Sequence, residues 1–130
     1  MQPTPGYSGT PLFKKLGLKP GASARFIGAP EGFAEGFADL RHEPPHDVTV
    51  IFAAFQYRLV AEIPEAMASL KKDGGLWLCW PKKSSRVPTD VTENLLRDLF
   101  LPTGMVDNKV CAVTDVWSGL RFVWRKDRRS

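Results

Sequence analysis

The sequence predicts a single compact α/β domain, a three-layer, Rossmann-like, mostly parallel sheet that ends in an antiparallel hairpin strand. Two uninterrupted apolar runs, residues 48–55 and 76–80, are typical of strands buried on both faces of a parallel sheet. Residues 56–70 lie between them and show helical periodicity, as expected for the crossover between parallel strands. The length of 130 residues suits one domain, and 43% hydrophobic with 25% charged residues is typical of a globular chain.

The first third of the chain predicts short elements around this core. Residues 1–9, rich in proline, glycine and serine, are expected to form an extended arm. Thr10-Pro11 is typical of a helix N-cap followed by a proline in the first turn, and Gly17 ends the short helix that they begin. Residues 22–27 predict a brief strand, and residues 39–41 predict a second one.

Three local signals set the limits of the longer helices. Pro64 lies inside the crossover helix and is expected to kink or split it. Residues 71–75 combine two lysines with Asp-Gly-Gly, which predicts a helix stop. Asp90 and Glu93 have the spacing of a capping box, which predicts that the next helix occupies residues 90–100.

The end of the chain predicts a hairpin, in which residues 106–113 and 120–125 flank a turn at 114–119. The resulting order of strands and helices resembles the second half of class I methyltransferases over residues 48–125. The segment Asp73-Gly74-Gly75-Leu76-Trp77 is similar to the turn and strand that follow the fourth helix of that family. The resemblance implies a methyltransferase-like fold, and a shared fold does not by itself imply a shared activity.

Four motifs spread over nearly the whole chain carry a second resemblance. They are GYSGTPL at residues 6–12, DGGLW at 73–77, WPKK at 80–83 and WSGL at 117–120. These motifs are similar to those of a family of small bacterial proteins that form a domain of unknown function. This resemblance implies a bacterial, cytoplasmic protein and assigns no catalytic residues.

The formal charge of +4 is concentrated at the end of the chain. Four cations and one acid leave a net charge of +3 in the last six residues, and the rest of the chain is nearly neutral. We therefore expect residues 126–130 to form a solvated basic tail, and nucleic acid is not an expected partner. No apolar run approaches the roughly 20 residues of a membrane helix. The start of the chain lacks the features of a signal peptide, which favours a cytoplasmic location.

Neither the cysteines nor the histidines predict a metal site. Cys79 and Cys111 each lie within an apolar run and lack CxxC spacing, so we expect buried thiols that are not bonded to each other. Residues 42–46, His-Glu-Pro-Pro-His, match the letters of H-E-x-x-H, but zinc peptidases need that motif on a helix. The two prolines forbid such a helix, so His42 and His46 are interpreted as loop residues.

A glycine turn follows the first strand, where a nucleotide-binding loop would lie. Gly28, Gly32 and Gly36 depart from G-x-G-x-x-G spacing, and Pro30 removes a backbone N–H that a phosphate would use. Glu43 lies near the position expected for a ribose-binding acid. Gly28, Gly32 and Glu43 are therefore candidates for a degenerate S-adenosylmethionine site. The alternative is that a tight strand-to-helix turn requires these glycines, and no bound cofactor is expected.

The best ligand signal is the loop after the second apolar strand. Open α/β sheets bind ligands beyond the C-terminal ends of their strands, and this loop carries Lys82, Lys83, Ser84 and Arg86 beside Trp80. The N-terminus of the next helix adds partial positive charge, so we expect an anionic or phosphate ligand. The alternative is an ordinary cationic surface loop.

Trp117 and Ser118, at the final hairpin, are expected to lie at the same edge of the sheet as this loop. Trp117 is interpreted either as a pocket wall or as a hairpin corner that packs on the sheet. The leading functional hypothesis is a non-catalytic, methyltransferase-like domain that binds a small anionic ligand or a protein partner. The alternative is a small transferase, such as a methyltransferase with a degenerate cofactor loop.

Overall fold

The computed structural model describes residues 12–37 and 40–128. In chain order its main elements are α1 (Leu12–Lys15), β1 (Ala24–Ile27), β2 (His46–Phe52), α2 (Gln56–Ala68), β3 (Leu70–Pro81), α3 (Glu93–Phe100), β4 (Met105–Ala112) and β5 (Trp117–Trp124). The predicted arm, the Thr10-Pro11 cap and residues 129–130 of the basic tail lie outside the described residues. Within the described ranges, every helix is too short or too polar to cross a lipid bilayer.

The five strands form one mixed sheet in the order β1-β2-β3-β5-β4. β1, β2 and β3 are parallel, whereas β5 is antiparallel to both β3 and β4. The prediction that the two apolar runs are parallel, central neighbours is confirmed by β2 and β3. The α/β class and the C-terminal hairpin are confirmed as well, and the sheet is parallel at one end only.

One face of the sheet is covered by α2 and α3. Because side chains alternate along a strand, β2 turns Ile51 toward these helices and Val50 toward the other face. The rings of Phe100 on α3 and Phe122 on β5 stack at 4.8 Å. The other buried side chains of this core include Leu59, Ala66, Leu76, Leu78, Leu96 and Leu120.

Short turns and loops cover the opposite face. α1 has four residues, and in the segment after β1 the described residues form a single 3-10 turn, Ala34–Phe37. Trp77, fully buried on this face, donates from Nε1 to the carbonyl oxygen of Leu16 at 3.1 Å and so holds the end of α1. The predicted third layer is therefore reduced, because the glycines and prolines between β1 and β2 interrupt any long helix.

The strand predicted at residues 39–41 and the helix stop predicted at residues 71–75 are both wrong. Residues 39–41 do not form a strand in the part that is described, since Arg41 makes only an isolated bridge with Ser23. Gly74 and Gly75 do not end a helix but lie inside β3. The side chain of Arg121 crosses β3 there, so that a Cβ on Gly75 would lie 2.6 Å from its Nε.

Polar residues before α3 cap two helices. Thr92 is the N-cap of α3, and its Oγ1 accepts a hydrogen bond from the N–H of Leu95 at 3.1 Å. Asp90, predicted to cap α3, instead accepts from the N–H of Gln56 at 2.7 Å and so caps α2. α2 continues through Pro64 without a break, with Pro64 on its exposed side.

The two cysteines lie on either side of Gly119. Cys79 on β3 and Cys111 on β4 both pair with this residue of β5. Two interstrand spacings of about 4.8 Å separate their backbones, which exceeds the reach of a disulfide. Both thiols are free, as predicted; Cys79 is buried and Cys111 is half-buried. Burial raises the pKa of the Cys79 thiol well above its ordinary value.

Candidate functional site

The C-terminal ends of β1, β2 and β3 lie at one edge of the sheet, here called the carboxyl edge. Gly28 follows β1 and Lys82 follows β3. The β4–β5 turn reaches the same edge, because Pro81 pairs with Trp117 and the N–H of Lys82 donates to the carbonyl oxygen of Val116 at 2.7 Å. Open α/β sheets bind their ligands at this edge.

The glycine turn at residues 28–32 is explained by backbone conformation and packing. Gly28 has a φ of +69°, and a Cβ there would lie 2.7 Å from the carbonyl oxygen of Phe52. Gly32 has a φ of +84°, with no atom within 4 Å of its Cβ position. Both residues adopt a conformation that favours glycine, and Gly28 also allows the turn to approach β2 closely. These requirements hold without a cofactor.

Aromatic side chains fill the space between the glycine turn and the final hairpin. The ring of Phe52 lies 5.0 Å from that of Phe33 and 5.3 Å from that of Trp117. Both contacts are edge-to-face, a favourable arrangement of aromatic rings. The structure thus places Trp117 as a hairpin corner packed on the sheet.

Glu43 lies at the opposite edge of the sheet, here called the amino edge. Its carbonyl oxygen accepts a hydrogen bond from Ser23, which precedes β1, whereas Gly28 follows β1. Its exposed carboxylate pairs with Arg41 at 2.8 Å, and this hydrogen bond lowers the pKa of Glu43. The structure therefore does not bring Glu43 together with Gly28 and Gly32, because β1 and β2 run parallel and the length of a strand separates them.

The lysine loop, residues 82–86, folds into a 3-10 turn. Ser85 stabilises this turn, since its Oγ donates to the carbonyl oxygen of Lys82 at 2.7 Å. Arg86 ends the turn in the left-handed conformation, with a φ of 62°. Lys83, Ser84 and Arg86 are exposed, and Lys82 is half-buried.

A cleft of about 540 Å³ opens between the lysine loop and the start of α3. Trp80, Pro81 and Lys83 form one wall, and the segment that leads into α3 forms the other. Among the predicted ligand residues, only Lys83 lines this cleft. Its remaining polar side chains are Thr89, Thr92, Glu93, Asn94 and Arg97.

The charges of the cleft are partly neutralised inside the protein. Arg97 contacts Asp107 at 3.2 Å and Glu93 at 3.0 Å, and these hydrogen bonds raise the pKa of its guanidinium. The side chain of Lys83, in contrast, is exposed. The N–H groups of Glu93 and Asn94 lie in the first turn of α3, where a helix supplies no internal acceptor. The cleft is therefore lined by an exposed ammonium group and by the first residues of α3, where a helix carries partial positive charge, while Arg97 pairs with the Glu93 carboxylate.

The two predicted site residues of β5 face opposite sides of the sheet. Ser118 pairs with Trp80, the indole wall of the cleft, and is half-buried. Trp117, the next residue along the strand, faces the other side, where it packs against Phe52. Ser118 thus lies beside the cleft, whereas Trp117 and the glycine turn lie together on the other side of the sheet.

A polar network lies at the amino edge, formed by Ser23, His46, Asp47 and Lys71. Ser23 Oγ donates to the carbonyl oxygen of Glu43 at 2.5 Å and lies 3.0 Å from His46 Nδ1. Asp47 accepts from the N–H of Ser23 at 2.8 Å and from Lys71 Nζ at 2.9 Å. Because the hydroxyl proton of buried Ser23 points to a backbone carbonyl, the network joins β1 to β2 and does not form a nucleophile–base pair.

The electrostatics of this amino-edge network agree with a structural role. Desolvation by burial lowers the pKa of His46, which favours the neutral imidazole. Burial acts to raise the pKa of Asp47, but the hydrogen bonds from Ser23 and Lys71 outweigh it and hold that pKa below its usual value. The network is therefore most stable with a neutral imidazole and an ionised carboxylate.

The two histidines of the 42–46 motif are held separately. His42 Nδ1 lies 2.9 Å from the carbonyl oxygen of Ala24, whereas His46 contacts Ser23. Across residues 12–37 and 40–128, no three His, Cys, Asp or Glu side chains cluster in a way that would hold a metal ion.

Sequence reasoning missed most of the polar cleft residues. The available signal was Thr92, because threonine is also among the preferred N-cap residues, although it ranks below aspartate. Starting α3 after Thr92 places Asn94 in the first turn and Arg97 one turn further, both beside the cleft. Thr89 carried no such signal, because its role comes from a distant contact in which its hydroxyl donates to the carbonyl oxygen of Ala54.

The chain matches no protein-family model and no curated protein sequence. It is similar to a solved structure from Sulfolobus solfataricus that is described as a "putative type 11 methyltransferase", with a TM-score of 0.52 and 11% sequence identity. The alignment covers 88% of this chain and 90% of that chain. At this identity the likeness shows a methyltransferase-like fold alone. The resemblance to the bacterial family of unknown function finds no support in the family comparison.

Proposed function

We propose that this protein is a non-catalytic, methyltransferase-like domain that binds a small anionic ligand in the cleft between Lys83 and the start of α3. The observation that carries this proposal is the position and lining of the cleft. It lies at the carboxyl edge, and it is lined by Lys83 and by Glu93 and Asn94, the first residues of α3, where the helix carries partial positive charge. Trp80 supplies an apolar wall for the uncharged part of such a ligand.

The glycine turn supports binding over methyl transfer. Gly28 is close to β2 for reasons of packing, and Phe33, Phe52 and Trp117 occupy the space beside it. A nucleoside cofactor held by this turn would have to displace those rings. Glu43, the candidate for ribose binding, lies at the amino edge.

S-adenosylmethionine-dependent methyl transfer is the alternative function. The fold of the Sulfolobus solfataricus structure supports it, as does the position of Gly28 directly after a parallel strand. This function requires the cofactor to bind at the glycine turn, which gives a direct way to separate the two proposals.

Thermal-shift measurements test both, because a ligand that binds the native state raises its melting temperature. We expect stabilisation by inorganic phosphate, pyrophosphate or members of a panel of phosphorylated sugars and nucleotides, and none by S-adenosylmethionine. Lys83→Glu should abolish the shift, while the stability without ligand should change by about 0.5 kcal/mol or less, as for other exposed substitutions.

Lys14→Glu is the matched control, since Lys14 is an exposed cation on α1, outside the cleft. It makes the same change in net charge and should leave the ligand-induced shift intact. A shift that survives Lys83→Glu would show that the lysine loop is ordinary surface. A shift with S-adenosylmethionine that persists in Lys83→Glu would instead favour the methyltransferase.

A further inference from the structure

We propose that the exposed side of α2 is a dimerisation surface on which α2 of a second copy of this chain packs in the antiparallel direction. The opposite side of α2 is already used, since Leu59 and Ala66 are buried against the sheet. The exposed side is nevertheless apolar, whereas a helix that faces water normally carries polar residues there. Its central residues, here called the α2 stripe, are Tyr57, Ala61, Pro64 and Ala68, all exposed.

The spacing of the α2 stripe matches a helix–helix contact. Its residues recur after four, three and four positions, which is the a and d pattern of a heptad. Tyr57 is 71% exposed, and its ring stacks on that of Phe55 at 6.3 Å, which extends the apolar surface at the start of α2. Ala61 and Ala68 are small, so the backbones of two helices can approach closely. Exposed apolar residues rimmed by charged ones are typical of protein–protein interaction sites.

The charges on α2 indicate a second copy in the antiparallel direction. Arg58 lies in the first turn and Glu65 in the last, the reverse of what the helix macrodipole favours. They are seven residues apart and therefore lie on the same flank of the stripe. In an antiparallel pair equal flanks meet, so each Arg58 faces the partner subunit's Glu65. A parallel pair would instead place Val60, on the other flank, against this carboxylate.

The Glu65 carboxylate is held in place within its own chain and remains accessible. Arg25 of β1 donates two hydrogen bonds to its carboxylate, at 2.6 and 2.7 Å, while the Glu65 side chain stays 65% exposed. An ionised carboxylate has about four acceptor sites, so a second arginine can bind without displacing the first. Because Arg25 holds Glu65 in place, less side-chain entropy is lost on association.

The expected dimer is weak. A contact along one helix of this length is smaller than the roughly 1,200 Å² of a standard stable interface, so we expect a dissociation constant on the order of 10 to 100 μM. This inference does not depend on the proposed ligand, because the α2 stripe contains none of the residues that line the cleft.

Sedimentation equilibrium of the full chain, from low micromolar to millimolar concentration, tests the surface. The parent should follow a monomer–dimer equilibrium. Val60→Glu places a charge at the exposed apolar flank of the α2 stripe and should raise the dissociation constant at least tenfold. Val110→Glu is the matched control, because Val110 is also exposed but lies on the edge strand β4. It should leave the association unchanged. A parent that is monomeric throughout, or a dimer lost only in Val110→Glu, would overturn the proposal.

Oxidative cross-linking tests the orientation, in a Cys111→Ser background that removes the partly exposed native thiol. In the antiparallel pair, residue 57 of one copy lies beside residue 68 of the other. A mixture of Tyr57→Cys and Ala68→Cys proteins should therefore form disulfide-linked heterodimers, and neither protein alone should cross-link efficiently. Efficient cross-linking of Tyr57→Cys alone, or none in the mixture, would contradict the antiparallel arrangement. Unchanged far-ultraviolet circular dichroism shows that each variant is folded.

Discussion

The amino and carboxyl edges of the sheet use polar side chains in different ways. In the amino-edge network, the hydroxyl, imidazole, carboxylate and ammonium groups bind one another and the backbone, and Ser23 and His46 are buried. In the lysine loop, Ser85 holds the turn, and the ammonium of Lys83 remains exposed beside a cleft. A cluster of reactive residue types therefore indicates a functional site only weakly when its hydrogen bonds are satisfied internally. A single lysine indicates one more strongly when the fold places it beside a cavity.

Gly28→Ala should cause the largest loss of stability, and it tests whether the glycine turn at the carboxyl edge has a structural role. The new Cβ would meet the carbonyl oxygen of Phe52, and the positive φ adds strain, so we expect a loss of about 3 kcal/mol in the free energy of unfolding. Denaturant titration measures this loss.

Gly32→Ala is the matched control, because its φ is also positive and its Cβ would meet no atom within 4 Å. We expect it to lose about 1 kcal/mol, the conformational term alone. Equal losses in the two variants would mean that close packing against β2 is not what Gly28 provides.

Asp90→Ala should cause an intermediate loss of stability. It tests whether a polar residue near the carboxyl edge has a structural role. It removes the acceptor for the N–H of Gln56 at the start of α2, and loss of a helix cap costs about 1 kcal/mol. Asp98→Ala, an exposed carboxylate within α3, should change the free energy of unfolding by about 0.5 kcal/mol or less. If the two variants are equally stable, the bond between Asp90 and α2 contributes nothing to folding.

The smallest effect on the free energy of unfolding at neutral pH is expected from the titration of His46 at the amino edge. Burial lowers its pKa in the folded state, so below the ordinary value of about 6.5 the unfolded chain binds a proton that the folded chain does not. The free energy of unfolding should therefore be highest above about pH 6.5 and fall as the pH decreases. Denaturant titrations between about pH 7.5 and 5.5 stay above the carboxylate range.

His46→Gln should flatten this pH dependence, and His42→Gln is the control for loss of an imidazole from the exposed part of the same segment. If both variants keep the parent's pH profile, the titration of His46 does not couple to folding.

The central elements of the fold could be predicted because their signals are local. The apolar runs of β2 and β3, the periodicity of α2 and the turn before β5 are each contained in a few consecutive residues. Gly74 and Gly75 locally indicate a turn, whereas their close neighbours inside β3 are distant or non-local: backbone atoms of His46 and Asp47 lie beside Gly74, and the side chain of Arg121 lies beside Gly75. Asp90 was assigned to the wrong helix for the same reason, since its partner Gln56 is far away in the sequence.

The candidate site could be predicted only in part. The position of Lys83 at the carboxyl edge could be predicted because loops after parallel strands reach one edge of the sheet. Its separation from Trp117 could not be predicted, since it depends on the pairing register of β5 against β3. The position of Glu43 depends on where β2 begins. Predicted strand boundaries are uncertain by a few residues, and such an error changes the edge of the sheet to which a nearby residue is assigned.

Arg121 and Gly75 illustrate how two positions that are distant in the sequence can be expected to covary. The guanidinium lies over a backbone that has no side chain, so a larger residue at position 75 would meet it in its present position. A substitution there requires the guanidinium to move or position 121 to shorten. Among related sequences we therefore expect these two columns to change together, although 45 positions separate them. Their covariation would report a contact between β3 and β5 to anyone who has only an alignment.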